Sequence, residues 1–508
     1  MTRAISILGT GSDVGKSIIV AGLCRYFANQ GLKVAPFKGQ NMALNSYVTS
    51  DGSEIGRAQA FQAFAANIEP IAELNPVLLK PSSKGKSQVM VKGSIMGELT
   101  AMQYYSNKNQ LVDTVDDSLE SLLGKFDLVI LEGAGSPAEI NLPGPDLANL
   151  GLCKRHNINA VIVGDIEKGG VIASLVGTTQ VVDRSLSRYL KGFIINKFRG
   201  DKSLFDEGLN IIENMTGMMR LGILEKLDFT PIELEDTYSL NNYEPQTFNR
   251  PYLSSEHGSR LHNRKQHILK VGVVKFPHMS NFSDLDPLRL ETSVNVLISS
   301  NLFELAECDM LILPGTKSTV SDMMWFKKHG GDLLLTEFVK SNRVVMGICG
   351  GYQMLSRVIF DPVESQVGKL SGFGYLNATT EFQNEKLLCQ HIGIAHLMDC
   401  ELPIRGYQIQ NGIVSSIDPW ITVGNNNNPS EGSVSSDGLV YGISWHGIFE
   451  NDEFRYIFLE NVSRLANKDV IFDRYGYDTA KNDYVDKISE AISKSIAVDM
   501  IFNLSSIG

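Results

Sequence analysis

Residues 343–355 read Arg343-Val-Val-Met-Gly-Ile-Cys-Gly-Gly-Tyr-Gln-Met-Leu355. The apolar run Val344–Ile348 reads as a buried strand, and Tyr352–Ile359 has helical character. Between them Gly347, Gly350 and Gly351 surround a single thiol, Cys349. A sharp strand-to-helix turn needs small neighbours and leaves its apex side chain strained and exposed, as in the nucleophile elbow of hydrolases. Cys349 would stand at a helix N-terminus, where the dipole and free N–H groups lower a thiol pKa. The same N–H groups can hold an oxyanion. The plain alternative is a core cysteine in a glycine-rich turn, but packing alone hardly explains three glycines around one thiol.

The remaining composition sets the frame for this elbow. A chain of 508 residues holds about two to four domains, each large enough for its own core. Hydrophobic content of 43% with 20% charge is that of an ordinary globular protein. A net charge of −11 argues against a general nucleic-acid surface and against an anionic membrane partner. Met1 leads straight into a short apolar strand, so no leader peptide is expected, and no apolar run reaches the ~18 residues of a membrane span. The six cysteines are scattered without framework spacing, which fits a reducing cytoplasmic compartment.

The first half opens on Ala4–Leu8, a buried strand, then Gly9-Thr-Gly-Ser-Asp-Val-Gly-Lys-Ser17 and a helix through Phe27. Strand, glycine loop, Lys-Ser and helix are how a backbone cradles phosphates, with Gly11 and Gly15 in the loop, and how a Ser hydroxyl reaches Mg²⁺. The usual template has glycine where this chain has Thr10, but Gly15, Lys16 and Ser17 are intact. A second strand, Phe126–Leu131, ends at Glu132-Gly-Ala-Gly-Ser-Pro-Ala-Glu-Ile-Asn141. A carboxylate at the C-terminal end of such a strand lies where open α/β sheets bind ligands, so Glu132 reads as facing Mg²⁺ rather than as a turn residue. Glu54 or Asp51 suits a metal or water ligand, or equally a helix N-cap. Lys80, Pro81 and the Ser/Lys/Gly run 82–88 read as a loop that meets an anionic substrate or is merely solvated. Asp146 sits in a Pro/Gly loop. The strands Ala160–Gly164 and Lys191–Ile195 are followed by Asp165 and by Asn196-Lys197, and an Asn-Lys pair there suits a purine base. This alternation predicts a parallel, doubly wound sheet.

In the second half a polar stretch, 236–268, reads as a linker. Leu269–Val274 opens a new α/β domain. Leu311-Ile-Leu-Pro-Gly-Thr-Lys-Ser318 is strand then glycine loop, whose N–H groups are expected to complete the oxyanion site. Gly442-Ile-Ser-Trp-His446-Gly447 supplies a base for Cys349, a pairing that only the fold can make. Cys389, His391, His396 and Cys400 match no standard zinc spacing and alternate like a strand. Asn425–Asn428 begins a surface loop.

Together these stretches resemble one family closely, the cobyric acid synthases, glutamine-hydrolysing amidotransferases of cobalamin biosynthesis. The resemblance rests on Gly9–Ser17, Phe37–Ser46, Gly52–Gln59, Asn75–Pro81, Glu132–Leu142, Gly192–Asp201, Leu313–Thr319, Gly347–Leu355 and Trp445-His446-Gly447. It implies a doubly wound P-loop domain like dethiobiotin synthetase over 1–235 and a class I glutamine amidotransferase α/β domain over 269–462. A C-terminal helical tail, 463–508, is expected on the glutaminase domain or on a second subunit of a homo-oligomer. The implied reaction amidates the b, d, e and g carboxylates of adenosylcobyrinic acid a,c-diamide with ATP, Mg²⁺ and L-glutamine. Lys16 and Ser17 would hold phosphates and Mg²⁺, Glu54 and Glu132 further metal or water, Asn196 the adenine, and Asp146 the side of the activated carboxylate. Cys349 and His446 would form the glutaminase.

Two stretches depart from the family pattern. Many class I glutaminases carry a Glu two residues after the histidine; here that position is Ile448, which suggests a Cys–His dyad. The family's Gly-Tyr-Glu-Ile-His appears as Gly406-Tyr-Gln408-Ile-Gln410. Rival readings are the sister a,c-diamide synthase, or another two-domain carboxylate amidotransferase. A third is a partitioning-type switch ATPase, which predicts a second lysine early in the phosphate loop; residues 10–14 contain none.

Overall fold

The computed structural model describes residues 3–81, 85–227, 267–424 and 430–506. Nearly all of the expected linker and the loop at 425–428 lie outside these residues. Contacts divide the chain into two units: Met1–Ala43, Ser53–Phe229 and Asn482–Gly508 in one, Leu44–Gly52 and Thr230–Lys481 in the other. Among the described residues no helix is long and apolar enough to cross a membrane.

The first unit is built on six strands: β1 (Arg3–Gly9), β2 (Val34–Phe37), β3 (Leu128–Glu132), β4 (Asn159–Asp165), β5 (Leu190–Phe198) and β6 (Met219–Glu225). Their order is β6-β5-β4-β1-β3-β2, and every pairing is parallel. Such a sheet is buried on both faces, which explains why these strands read as unbroken apolar runs. One face packs Ala35, Phe37, Val129 and Leu131. The same face continues on the far side of β1 through Leu8, Ile162, Phe193 and Ile195, and the opposite face carries Ile5, Ile7, Ile130, Val161 and Val163, all buried. After β1 the chain crosses to β2, beyond β3, whereas β4 lies on the opposite side of β1. The strand order therefore reverses at β1, the place where such sheets bind ligands.

Two expectations about this unit are corrected. Lys80 and Pro81 do not lie in a loop: Val77–Pro81 and Lys86–Val91 pair as antiparallel strands and Lys80 is buried, while 82–84 of the expected loop lie outside the described residues. The expected C-terminal tail, 463–508, divides: its residues through Lys481 belong to the glutaminase unit, and Asn482–Gly508 packs here. Ile488 and Ile492 lie where a Cβ on Gly22 would be, Asn159 Nδ2 donates to the Leu504 carbonyl, and Arg3 lies over Phe502. Ile488 and Ile492 belong to the helix Tyr477–Ser495, and they cover the outside of α1 (Lys16–Asn29) at Gly22.

The second unit holds β7 (Leu269–Val274), β8 (Val294–Ser299), β9 (Met310–Leu313), β10 (Val344–Ile348), β13 (Ser433–Val434) and β14 (Val440–Ile443) in the order β8-β7-β9-β10-β14-β13. All pairings are parallel except that of edge strand β13. Two long strands, β11 (Leu376–Leu397) and β12 (Cys400–Ser416), form a hairpin. Met398 and Asp399 turn it with positive φ of 50° and 62°, the left-handed pair that matches strand twist. The helix after Cys349 is shorter than its sequence suggests. It ends at Leu355, and Ser356–Asp361 continues as a strand paired with Gly368–Ser371 on one side and β11 on the other, a pairing that outweighs the local helical character.

Candidate active site

In the first unit the loop after β1 opens directly into α1. Gly15 takes φ 98°, and a Cβ there would lie 2.1 Å from Asn196 Nδ2, so no other residue fits. Asn196 Nδ2 in turn donates to the Val14 carbonyl at 2.8 Å, holding the loop from behind. Lys16 Nζ donates to the Gly11 carbonyl at 2.8 Å and to Gly135 O at 3.3 Å, bridging the β1 and β3 loops. Because Ile7 pairs with Glu132 in register, the Glu132 carboxylate arrives beside the helix start. Ser17 Oγ donates to its Oε1 at 2.8 Å.

Lys38 and Gln62 complete this cluster, and sequence reasoning assigned a role to neither. Lys38 Nζ lies 2.9 Å from Glu132 Oε1, and Gln62 Nε2 donates to Oε2 at 2.5 Å. Burial pushes the Glu132 pKa up, but the charge and hydrogen bond of Lys38, with help from Gln62 and Lys16, win and hold it below the ordinary value. The carboxylate is thus ionised and embedded in positive potential. Ser17 and Glu132 are hard oxygen donors of the kind that Mg²⁺ takes alongside phosphate oxygens. The buried Gln62 Oε1 has no hydrogen-bond partner among the described residues, which leaves an acceptor for a metal-bound water. The donor set fits the ion.

Glu54 is engaged differently. Its Oε1 receives Lys80 Nζ at 2.6 Å, with both groups buried, so this cation already stands against the carboxylate. Asp146 shapes a loop: Oδ1 accepts from Ala148 N and Asn149 N, and Oδ2 from Gly151 N. Asn149 Nδ2 then bonds the Ala134 carbonyl, tying that loop to the one after Glu132.

In the second unit Cys349 occupies the turn between β10 and α2 (Gly350–Leu355) at φ 50°, ψ −108°, a strained backbone for a residue with a Cβ. The turn closes only because its neighbours are glycines; a Cβ on Gly351 would lie 1.9 Å from the Leu313 carbonyl. Cys349 N donates to Ile443 O at 2.8 Å, which ties the elbow to β14 and so to His446, three residues beyond that strand. Gly315 lies against the imidazole: a Cβ there would be 2.9 Å from His446 Cε1. Gly350 lies against the Thr316 backbone, so the 311–318 loop does border the thiol.

The histidine is held by a carboxylate that sequence reasoning missed. His446 Nδ1 lies 2.7 Å from Asp284 Oδ2, and Gly447 N donates to Asp284 Oδ1 at 2.7 Å. The expected dyad is therefore corrected: a carboxylate is present, but it comes from the turn Phe282–Leu285 instead of position 448, where Ile448 is fully buried. Burial pushes the His446 pKa down, yet the charges of Asp284 and Cys349 and their hydrogen bonds outweigh it and raise it to about 10. Tyr407 pairs its backbone with His446 in both directions and sets its ring 5.5 Å from the imidazole.

The two unusual glutamines are accounted for by partners. Gln410 Oε1 lies 3.7 Å from Cys349 Sγ and accepts from Gln353 Nε2 at 3.4 Å. Gln408 Oε1 lies 2.6 Å from His391 Nε2, and the His391 ring stacks on Trp445 at 4.9 Å. His396 Nε2 faces Thr422 Oγ1 at 2.8 Å. The segment Leu44–Gly52 belongs to this unit as well. Ser46 N donates to Asn281 Oδ1 at 3.1 Å, and the Tyr47 ring lies 5.4 Å from that of Tyr407, so the segment supports both flanks of His446.

Comparison with known proteins agrees with this division. Residues 5–230 match the CobQ/CobB/MinD/ParA nucleotide binding domain, and residues 270–454 the CobB/CobQ-like glutamine amidotransferase domain. The chain is 41% identical over 482 residues to cobyric acid synthase of Frankia casuarinae, covering 93% of this chain and 90% of that protein. It is 38% identical over 512 residues to cobyric acid synthase of Clostridium acetobutylicum, covering 99% of each. It is 38% identical over 518 residues to that of Citrobacter koseri, covering 99% and 98%. With a phosphate loop in one unit, a cysteine elbow in the other and relatives alike over nearly their whole length, the chain belongs to the cobyric acid synthase family of glutamine-hydrolysing, ATP-dependent amide ligases.

Proposed function

We propose that the protein converts adenosylcobyrinic acid a,c-diamide to adenosylcobyric acid by amidating its b, d, e and g carboxylates. A carboxylate does not react with ammonia until its oxygen becomes a leaving group. In this reading ATP supplies the phosphoryl group, and the first unit binds and orients it. Lys16 and the N–H groups of the Gly11–Gly15 loop hold the phosphates and offset charge as it develops in transfer. Mg²⁺, when bound by Ser17 and Glu132, neutralises phosphate charge. Lys38 keeps Glu132 ionised for that task. Glu54 holds Lys80 in place, so its contribution runs through the lysine. The Asn196 side-chain carbonyl is the end that accepts from the purine amino group. Asp146 shapes the loop on the substrate side.

The second unit makes ammonia. Cys349 thiolate attacks the glutamine carboxamide carbon, and His446 donates its Nε2 proton to the departing ammonia. The γ-glutamyl thioester that results is hydrolysed by water, whose proton returns to His446. N–H groups at Gly350 and the Gly315–Thr316 turn stabilise the oxyanion. Ammonia then attacks the acyl phosphate and releases phosphate. The single observation that carries this reading is the strained Cys349 elbow with His446 beside it, a nucleophile and base in a chain that also holds a phosphate loop.

The decisive experiment offers the purified protein ATP, glutamine and the a,c-diamide, and follows product mass through four successive amidations. No mass change would sink the assignment. Cys349→Ala is expected to abolish glutamine-dependent synthesis while ammonia-dependent synthesis persists; equal loss of both would refute the division of labour.

A further inference from the structure

We infer that Asp284 is the positioning residue of the glutaminase site, taking from an upstream turn the role that position 448 fills in other class I glutaminases. The inference rests on the glutaminase reading above. Three observations carry it.

The first is geometry. One carboxylate oxygen faces His446 Nδ1 at 2.7 Å while the other accepts the Gly447 N–H at 2.7 Å. That two-point grip ties the imidazole Nδ1 and the backbone just after it to one carboxylate, and it leaves Nε2 for the Cys349 side. It also selects the tautomer: a carboxylate on Nδ1 requires the proton there, so the neutral ring presents a bare Nε2 to a thiol.

The second is burial. Asp284 and His446 are 3% and 1% exposed. An ionised carboxylate so placed is tolerated only with a charge-assisted partner, and the imidazolium is that partner. The neighbouring Asp286 is not available for the task, because it is paired with Arg289 at 2.8 Å.

The third is support. The turn Phe282–Leu285 begins at Asn281, a residue at φ 52° whose Oδ1 accepts Ser46 N. The carboxylate is therefore carried on a braced turn and not on a free loop. The groups facing His446 are Asp284 from this turn, Cys349 from the elbow, and Tyr407 from the hairpin, with Glu450 in the turn after Gly447. Asp284 is the one that touches Nδ1.

The test is Asp284→Asn in the full-length chain, with Asp284→Glu beside it. Asparagine keeps the size of the side chain but not its charge. Glutamine hydrolysis is expected to fall about 10²- to 10⁴-fold in kcat with a smaller change in KM, while ammonia-dependent synthesis stays within about twofold. The alkaline limb of the pH–rate profile should move to lower pH, because the imidazolium loses its anionic partner, and Asp284→Glu should recover part of kcat. A kcat within about threefold of the parent, with an unmoved alkaline limb, would overturn the proposal.

Should Asp284→Asn not fold, Cys349→Ser with ¹⁵N-labelled histidine decides. A far-downfield Nδ1 proton on His446 that persists well above pH 6.5 supports the carboxylate bond. An imidazole titrating at its ordinary value overturns it. Loss of both glutamine- and ammonia-dependent synthesis in a folded Asp284→Asn would count against the glutaminase reading itself, so the two failures are distinguishable.

Discussion

The phosphate loop and the cysteine elbow solve the same problem, holding a buried charge ready for chemistry, in opposite ways. In the first unit one carboxylate, Glu132, is surrounded by cations and donors: Lys38, Ser17 and Gln62 touch it, and Lys16 adds its field. The surplus is positive, as a site for triphosphate requires. In the second unit partners follow one another along a line, the Asp284 carboxylate, the His446 imidazole and the Cys349 thiol, with one cation and no positive excess, as proton shuttling requires. A site that binds anions is built by excess, and a site that moves protons is built by sequence of partners.

The comparison can be broken most severely at Lys16. Lys16→Ala is expected to cost about 10³-fold in synthesis from either glutamine or ammonia, with glutamine hydrolysis measured alone little changed. Loss of hydrolysis as well would mean that the two sites are not separable. Lys38→Met probes the excess of cations directly. Removing the partner of a buried carboxylate costs about 3–5 kcal/mol. The Glu132 pKa is depressed in the folded protein, so its stabilising effect is present above the ordinary value of 4.5 and is lost as pH falls through the folded value. Urea unfolding should therefore show the largest difference between parent and variant at neutral pH and a shrinking one in acid. A pH-independent difference would mean that Lys38 acts through packing. The smallest effect is expected at Tyr47→Ala. Loss of its contact with Tyr407 removes about 1 kcal/mol of aromatic packing, which should lower glutaminase kcat about fivefold through looser support of His446. An unchanged kcat would show that the segment Leu44–Gly52 is not part of that support.

Much of the molecule is legible without coordinates, for a reason visible in particular residues. Gly15, Lys16 and Ser17 form a site within a few residues of one another, and Glu132 joins them because parallel strands place their C-terminal ends side by side. Cys349 announces itself because a strained turn demands glycines on both sides. Lys80 was misread because its Pro/Ser/Lys/Gly surroundings carry turn residues, whereas its burial against Glu54 depends on a strand pairing. The helix after Cys349 was read too long because helical character at 356–359 is weak beside the pull of strand pairing.

Local chemistry, then, determined the two strand–loop–helix turns, the nucleophile and the nucleotide loop, since each needs its residue types at fixed short spacing. Only the tertiary structure decided which carboxylate holds His446. Asp284 stands 162 residues from it, and no spacing rule spans that distance. The reason is physical: short-range patterns obey backbone sterics, while a hydrogen-bonded pair across a core obeys only the packing of the sheet and loops that bring it together.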